Sequence, residues 1–259
     1  MAKPPGPSPF DLSDRVALVT GGNGGIGLGM ARGLARAGAS LVIAGRNAEK
    51  NAAAVAELGA LGAPCHALEV DVADEAACRA MPEVAHARFG RLDILVNNAG
   101  IARGGRPTTL KLDDWHAVLQ TNLTAVLVAS QAAHPLMLAA GGGKIINIGS
   151  MYALFGAPFV PAYAASKGGL IQLTRSLAAA WAADNIQVNA ILPGWITTDM
   201  TAGAKGAQAF NDNIVARTPA GRWGEPEDFE GAAVFLASPA SDFVTGASLN
   251  VDGGFAISG

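Results

Sequence analysis

The chain has 259 residues, of which 50% are hydrophobic and 15% are charged, and its formal net charge is −3. This length and composition suit one large α/β domain with an extensive apolar core. Because the charge shows no basic excess, nucleic acid is excluded as the expected partner.

The first nine residues, MAKPPGPSP, are rich in proline, glycine and small polar residues. This composition predicts a disordered N-terminal arm over residues 1–9, followed by a single domain over residues 10–259. The arm lacks the apolar core of a signal peptide, which favours a cytoplasmic protein. Residues 124–140 are apolar but include His134 and Pro135, so they predict a buried or interface helix, and no membrane partner is expected.

The glycine-rich stretch at residues 16–29 has the sequence VALVTGGNGGIGLG. Its apolar start predicts a buried strand, and apolar residues return at helical spacing from Ile26. A glycine turn between a strand and a helix exposes backbone N–H groups that bind phosphate at the helix N-terminus. Two registers fit: G-x-G-x-x-G at Gly22, Gly24 and Gly27, or T-G-x-x-x-G-x-G at Thr20, Gly21, Gly25 and Gly27. We favour the second register because its first glycine directly follows the strand, where the tight turn must begin.

Strand and helix patterns then alternate along the chain. The predicted strands are 41–44, 67–70, 94–96, 144–148, 186–192 and 248–251, and the predicted helices are 48–61, 75–89, 112–138, 162–183 and 227–236. This alternation predicts a Rossmann-type α/β fold, in which a doubly wound parallel sheet of about seven strands has helices on both faces. Residues 198–222 interrupt the pattern and are predicted to form a mobile substrate loop.

Polar or glycine residues follow four of the predicted strands, at Thr20-Gly21, Gly45-Arg46, Asp71 and Asn97. In a parallel sheet the carboxyl ends of the strands share one edge, and ligands bind beyond that edge. The sequence therefore predicts a binding site there.

Tyr163 and Lys167 are four residues apart near the start of a predicted helix, so their side chains share one face. A free tyrosine has a pKa of about 10, and a neighbouring ammonium group lowers that pKa because it favours the phenolate. Such a phenol can act as a general acid/base for an alcohol or a ketone. Ser150 follows another strand, where its hydroxyl is placed to hydrogen-bond a substrate oxygen.

Together these residues resemble the short-chain dehydrogenase/reductase family over residues 12–254. The matching motifs, in chain order, are Thr20-Gly21-x-x-x-Gly25-x-Gly27, Asp71, Asn97-Asn98-Ala99-Gly100, Asn122, Ser150, Tyr163-x-x-x-Lys167 and Pro193-Gly194-x-Ile196-x-Thr198. The resemblance implies an NAD(P)-dependent oxidoreductase that transfers a hydride reversibly between the cofactor and a secondary alcohol or ketone.

The resemblance also implies roles for individual residues. Tyr163 is expected to be the general acid/base, and Ser150 to orient the substrate oxygen. Lys167 is expected to lower the pKa of Tyr163 and to bind the nicotinamide ribose, while Asn122 holds a water that relays protons to Lys167. The expected cofactor-binding residues are Gly21, Asn23, Gly25, Ile26, Gly27, Arg46, Asp71, Val72, Asn97, Ala99, Gly100, Tyr163, Lys167, Pro193, Gly194, Ile196 and Thr198.

The end of the second strand predicts the cofactor preference. An acidic residue there typically binds the ribose 2′-OH of NAD, whereas an arginine accommodates the 2′-phosphate of NADP. This chain has Gly45 at the expected acidic position, followed by Arg46. We therefore expect NADP(H) to be preferred, with NAD(H) as the alternative.

The expected substrate is a small alcohol or ketone, with sugar acids or polyols considered first and small cyclic molecules next. Ser150, Tyr152, Phe155 and Trp195 are the expected pocket residues. A fatty-acid-type 3-oxoacyl thioester reductase is the alternative enzyme, and a non-catalytic cofactor-sensing protein is a third interpretation.

By the same resemblance, the C-terminal region from residue 222 to residue 254 is expected to pack between subunits of a homotetramer. The two cysteines and four histidines of the chain show no ligand spacing. We therefore expect no metal site.

Overall fold

The computed structural model describes residues 8–258, so residues 1–7 of the predicted arm lie outside the described residues. The Ser8 carbonyl accepts a hydrogen bond of 3.0 Å from the Asp11 N–H, and the Pro9 carbonyl accepts one of 3.1 Å from the Ala240 N–H. Pro9 is therefore tied to the C-terminal part of the domain.

Seven parallel strands form one sheet within the described residues. They are β1 (Val16–Thr20), β2 (Ser40–Gly45), β3 (Cys65–Glu69), β4 (Ile94–Asn97), β5 (Gly143–Ile148), β6 (Ile186–Pro193) and β7 (Ser248–Val251). Their order is β3-β2-β1-β4-β5-β6-β7, and each neighbouring pair is parallel. The predicted doubly wound parallel sheet is confirmed.

Helices cover both faces of this sheet. They are α1 (Gly25–Arg36), α2 (Ala48–Ala60), α3 (Glu75–Phe89), α4 (Leu112–Leu119), α5 (Ala125–Ala139), α6 (Pro161–Trp181), α7 (Ala202–Gly206), α8 (Gln208–Arg217) and α9 (Glu230–Ala237). On one face α1 packs against α9, and on the other face α3 packs against α5.

The central strand β1 is buried on both faces. Ala17 and Val19 belong to the apolar cluster that contains α1 and α9, whereas Leu18 belongs to the cluster that contains α3 and α5. Successive side chains of a strand point to opposite faces, so a strand covered on both sides must be apolar throughout. This is why the continuous apolar run predicts its position well.

Two segments differ from the sequence prediction. The predicted helix 112–138 is interrupted by a π-helical turn, Gln120–Thr124, whose Gln120 carbonyl accepts a hydrogen bond from the Ala125 N–H. Residues 198–222, predicted as a loop, contain α7 and α8. In α8 only Ile214 is buried, so its apolar periodicity is too weak to indicate a helix from sequence.

The turn after β1 depends on a close approach between two glycines. Gly21 has a φ of +62°, a conformation that side chains disfavour, and a Cβ at Gly27 would lie 2.3 Å from the Gly21 carbonyl oxygen. A Cβ at Gly24 would meet nothing within 4 Å. The structure therefore agrees with the register that contains Gly21, Gly25 and Gly27.

Gly27→Ala is expected to destabilise the protein, although alanine normally favours a helix over glycine. The added methyl group must push α1 away from the Gly21 carbonyl, an overpacking change of about 1–3 kcal/mol in the free energy of unfolding. Gly24→Ala is the matched control and should melt close to the wild type. Thermal unfolding measures both variants, and equal melting temperatures would contradict the close approach.

Candidate active site

A continuous cleft runs along the edge of the sheet at which the strands have their carboxyl ends. It comprises two adjoining cavities of about 420 Å³ and about 750 Å³. Gly21 after β1, Arg46 after β2 and Ala99 after β4 line both cavities. The cleft therefore lies where the strand order reverses between β1 and β4, the position at which such sheets bind ligands.

Most of the predicted cofactor-binding residues line this cleft. Those that do are Gly21, Asn23, Gly25, Ile26, Arg46, Asp71, Val72, Ala99, Gly100, Tyr163, Lys167, Pro193, Gly194, Ile196 and Thr198. Gly27 does not line the cleft, but it packs against the carbonyl of Gly21, which does. Asn97 does not line the cleft either.

The side chain of Asn97 points into the protein and not into the cleft. It is 4% exposed, and its Nδ2 donates hydrogen bonds of 2.9 Å to Asn147 and 3.3 Å to Ser130. The next residue, Asn98, lines the cleft instead, and its Nδ2 donates to the carbonyls of Thr20 and Gly21 at 3.0 and 3.1 Å. Sequence analysis did not select Asn98. Because successive side chains of a strand point in opposite directions, only one of the two adjacent asparagines could face the cleft.

The start of α1 fits the pyrophosphate of a dinucleotide. The N-cap residue Gly24 makes no side-chain capping bond, and the first turn of α1 contains no acidic residue. The N–H groups there are thus open to an anion, which the helix dipole also favours. The close packing of Gly21 on Gly27 leaves no side chain between those N–H groups and the cleft.

Ser150, Tyr163 and Lys167 meet at the inner end of the cleft. Ser150 follows β5, and Tyr163 and Lys167 occupy successive turns of α6. The Lys167 ammonium lies 5.5 Å from the centroid of the Tyr163 ring. It donates a hydrogen bond of 2.6 Å to the Ile148 carbonyl at the end of β5.

Burial dominates the electrostatics of this pair. It raises the pKa of Tyr163, and hydrogen bonding to Ser150 acts in the opposite direction. Burial also lowers the pKa of Lys167 to about 8. The expected lowering of the Tyr163 pKa by Lys167 is therefore not observed in the protein alone, because loss of water opposes the charged form of both groups.

Asn122 connects three parts of the site. It lies in the π-helical turn between α4 and α5 and is 1% exposed. Its side chain accepts a hydrogen bond of 2.8 Å from the Ile101 N–H and donates to the Ile101 carbonyl at 2.9 Å and to Ser166 at 3.1 Å. Asn122 therefore links the loop after β4 to α6, one residue before Lys167.

An aromatic wall adjoins Tyr163. The ring of Tyr152 lies edge-on to Tyr163 at 6.3 Å and to Trp195 at 6.2 Å between centroids. Of the predicted pocket residues, Tyr152 thus adjoins Tyr163 directly, and Trp195 adjoins Tyr152. Phe155 is placed farther along, in the apolar cluster that includes Trp223.

The segment after β6 completes this wall. Trp195 contacts Phe210 of α8 at 5.1 Å and Trp223 at 5.5 Å between ring centroids. The indole nitrogens of Trp195 and Trp223 are buried without a hydrogen-bond partner among residues 8–258. Sequence analysis missed Phe210 and Trp223, because their proximity to Trp195 arises only when the chain after β6 folds back.

Residues 8–258 contain neither a cluster of metal-ligating side chains nor a membrane-spanning helix. No three His, Cys, Asp or Glu side chains in residues 8–258 come together as a group that could hold a metal ion. No helix in the same range combines the length and apolarity needed to cross a membrane.

Comparison with known proteins gave matches over nearly the whole chain. A family model described as enoyl-(acyl carrier protein) reductase matches residues 21–256. The chain is 43% identical over 247 residues to a 2-dehydro-3-deoxy-D-gluconate 5-dehydrogenase from Dickeya dadantii (strain 3937), covering 95% of this chain and 97% of that protein. It is 41% identical over 252 residues to a gluconate 5-dehydrogenase from Gluconobacter oxydans (strain 621H), with 97% and 98% covered.

A solved structure agrees with these matches. The crystal structure of a gluconate 5-dehydrogenase from Burkholderia cenocepacia J2315, in complex with NADP and tartrate, is 45% identical to this chain with a TM-score of 0.92. The match covers 96% of this chain and 98% of that chain.

Lys167→Met is expected to stabilise the free protein at neutral pH, because it removes a buried positive charge. The pKa of Lys167 is lowered to about 8 in the folded protein, whereas a lysine in an unfolded chain has a pKa of about 10.4. Between these pH values the unfolded wild-type chain binds more protons, so wild-type stability rises with pH. The advantage of the variant should therefore be largest below pH 8 and shrink above it. Denaturant unfolding at a series of pH values measures this, and an advantage that does not vary with pH would contradict it.

Proposed function

The chain belongs to the short-chain dehydrogenase/reductase family, and from that premise we propose that it interconverts a secondary alcohol and a ketone of a sugar acid with NADP(H). Its named relatives are dehydrogenases that act on CH–OH groups, and this chain is an oxidoreductase of the same kind. The observation that carries the proposal is the meeting of Ser150, Tyr163 and Lys167 beside the cleft.

Tyr163 is the proposed general acid/base. Its raised pKa keeps the phenol protonated at neutral pH in the free protein, so it can donate a proton to a ketone oxygen. In the reverse direction the deprotonated form, the Tyr163 phenolate, accepts the hydroxyl proton. Ser150, which lines the cleft beside Tyr163, is placed to bond the same substrate oxygen. The Lys167 ammonium, 5.5 Å from the ring centroid, stabilises the negative charge that develops on the phenol.

The bound nicotinamide supplies or accepts the hydride. Lys167 is the proposed ligand of the nicotinamide ribose. Asn122 is the proposed proton-relay residue. It lies near Lys167 on the same side of Gly100, because a Cβ at Gly100 would be 3.3 Å from Asn122 Oδ1 and 3.7 Å from Lys167 Nζ. Since the side-chain amide of Asn122 is already engaged with Ile101 and Ser166, this relay would use its backbone carbonyl.

The end of β2 favours NADP(H). Arg46 is exposed in the cleft, 3.8 Å from the Asp71 carboxylate. A Cβ at Gly45 would lie 2.5 Å from Asn23 Nδ2, which is held by a hydrogen bond of 2.6 Å to Asn51. An acidic side chain at residue 45 would thus displace Asn23, so the site suits a phosphate near Arg46 better than a carboxylate at residue 45. The related structure from Burkholderia cenocepacia contains NADP.

The relatives favour a sugar acid over the alternatives. They are named for gluconate and 2-dehydro-3-deoxy-D-gluconate, not for a 3-oxoacyl thioester. A non-catalytic cofactor sensor is disfavoured because Ser150, Tyr163 and Lys167 are all present and adjacent.

The C-terminal edge of the sheet supports the proposed homotetramer. Strand β7 is at the edge of the sheet, and most of its residues are exposed. Phe243 is fully exposed, and Ile257 is 85% exposed. Exposed edge strands and apolar side chains are typically covered by another chain.

We propose the cytoplasm as the compartment. Cys65 and Cys78 are both free, and burial raises the pKa of each to about 11, which leaves the thiols poorly reactive. Free cysteines are typical of a reducing compartment. Fractionation of cells that produce the protein tests this, and recovery from an oxidising compartment would contradict it.

The proposed activity is tested by the absorbance of reduced nicotinamide. The protein with NADP is expected to oxidise gluconate, or to reduce the corresponding keto acid with NADPH. A 3-oxoacyl thioester with NADPH is the comparison substrate and should turn over far more slowly. Turnover of the thioester with none of any sugar acid would contradict the proposal.

Tyr163→Phe is expected to lower kcat by about 10²–10⁴-fold, because it removes the hydroxyl that exchanges the proton. Binding of NADPH should persist, since the ring and the fold remain. Tyr152→Phe is the matched control, as these are the two tyrosines of the chain, and it should cost much less. Similar losses in both variants would mean that Tyr163 has no special role.

Arg46→Ala is expected to weaken NADP binding by about 10- to 100-fold, the effect of losing charge-assisted hydrogen bonds to a phosphate. Binding of NAD should change little. Arg79→Ala, which removes an exposed arginine paired with Glu75 at 2.8 Å on α3, is the control. Titration of each variant with both cofactors decides the point, and equal losses for the two would show that Arg46 does not contact the 2′-phosphate.

Light scattering after size-exclusion chromatography tests the oligomer. A tetramer of 26.1 kDa chains has a mass of four times that value. Phe243→Asp should lower the measured mass, because a charge at a covered apolar contact is unfavourable. A single-chain mass for the wild type would refute the tetramer.

A further inference from the structure

Arg217, the last residue of α8, is held between two aromatic rings. Its guanidinium carbon lies 4.2 Å from the centroid of Phe255 and 5.7 Å from the centroid of Phe155. Such contacts use the ring faces and leave the five N–H donors of the guanidinium for other partners.

No carboxylate of the described chain takes up those donors. Eight arginines in residues 8–258 have a carboxylate oxygen within 4.0 Å, namely Arg15, Arg32, Arg36, Arg46, Arg79, Arg91, Arg103 and Arg222. Arg217 has none within residues 8–258, although the chain as a whole is acidic. An oriented guanidinium without an internal acid is suited to an external one.

The guanidinium adjoins the aromatic wall, because Phe155, over which it lies, belongs to the same apolar cluster as Trp195. Burial raises the pKa of Tyr152, and the positive charge of Arg217 acts against that rise. Tyr152 lies edge-on to Tyr163, with 6.3 Å between their ring centroids, and edge-on to Trp195 at 6.2 Å. Tyr152 thus connects Tyr163 with Trp195, and Arg217 adjoins the Trp195 end of this wall through Phe155.

We propose that Arg217 is a specificity-determining residue that binds the carboxylate of the substrate. The inference rests on the proposed function and specifies its substrate class. Because Tyr152 and the cluster that contains Phe155 and Trp195 separate the guanidinium from Tyr163, the carboxylate must be several carbons from the carbinol that reacts. The site is thus suited to a polyhydroxy acid oxidised at a carbon remote from its carboxylate, and not to a 2-hydroxy acid.

The test compares gluconate with glucitol, a polyol of the same carbon chain length without the carboxylate. In Arg217→Gln the KM for gluconate should rise about 10- to 100-fold, the effect of losing a charge-assisted bidentate contact. The KM for glucitol and the KM for NADP should stay near their wild-type values, and kcat should change less than KM. Arg217→Lys keeps the charge and should recover part of the gluconate affinity.

Arg88→Gln is the matched control. Arg88 is an exposed arginine on α3 that also lies over an aromatic ring, at 5.2 Å from the centroid of Phe89, and Phe89 packs against the cluster that contains α3 and α5, away from the aromatic wall. This variant should leave every kinetic constant unchanged.

The outcomes separate this inference from the proposed function. Wild-type turnover of gluconate that Arg217→Gln leaves unaltered would overturn the inference alone. An equal rise of KM for gluconate and glucitol would also overturn it, because it would indicate a packing role for Arg217 on Phe155 and Phe255. Wild-type turnover of glucitol with none of any sugar acid would overturn the proposed function and the inference together.

Discussion

The side chains of Thr20 and Asn98 join the ends of β1 and β4, where the strand order reverses. Thr20 Oγ1 accepts hydrogen bonds of 3.0 and 3.1 Å from the N–H groups of Asn98 and Ala99. Asn98 Nδ2 donates in return to the carbonyls of Thr20 and Gly21. These bonds hold the glycine turn after β1 and the loop after β4 in fixed positions relative to each other, one on each side of the cleft. Because Gly21 and Ala99 line both cavities, the geometry of the whole cleft depends on this junction.

Burial favours the neutral forms of both Tyr163 and Lys167. Lys167 is 4% exposed, and the Ile148 carbonyl is the hydrogen-bond acceptor of its ammonium. A carbonyl dipole compensates a buried charge less than a carboxylate does, which leaves the ammonium available to a group that enters the cleft. The same loss of water keeps the Tyr163 phenol protonated. Burial of the Lys167 ammonium thus lowers the stability of the protein but leaves this charge available to a ligand, an exchange that is common at functional sites.

The proposed ligand-binding cations have different surroundings. In the cleft Arg46 lies near Asp71, and Lys50 donates a hydrogen bond of 2.7 Å to Asp199, so each cation already has an acidic neighbour. Arg217, the proposed ligand of the substrate carboxylate, lies on aromatic rings without an acidic neighbour among residues 8–258. A chain with a net charge of −3 can therefore attract anionic ligands through local groups, despite its overall charge.

The sequence alone determined the fold class, the glycine turn and the positions of Tyr163 and Lys167, because each follows from the spacing of residues or the order of elements along the chain. Continuous apolar runs indicate strands covered on both faces, and a spacing of four residues places two side chains on one helix face. Only the tertiary structure decided that Asn97 points inward while Asn98 lines the cleft. It also decided that burial raises the pKa of Tyr163 and that Phe210 reaches Trp195. The physical reason is that loss of water and contacts between distant segments depend on how elements pack together, which no pattern within a single element records.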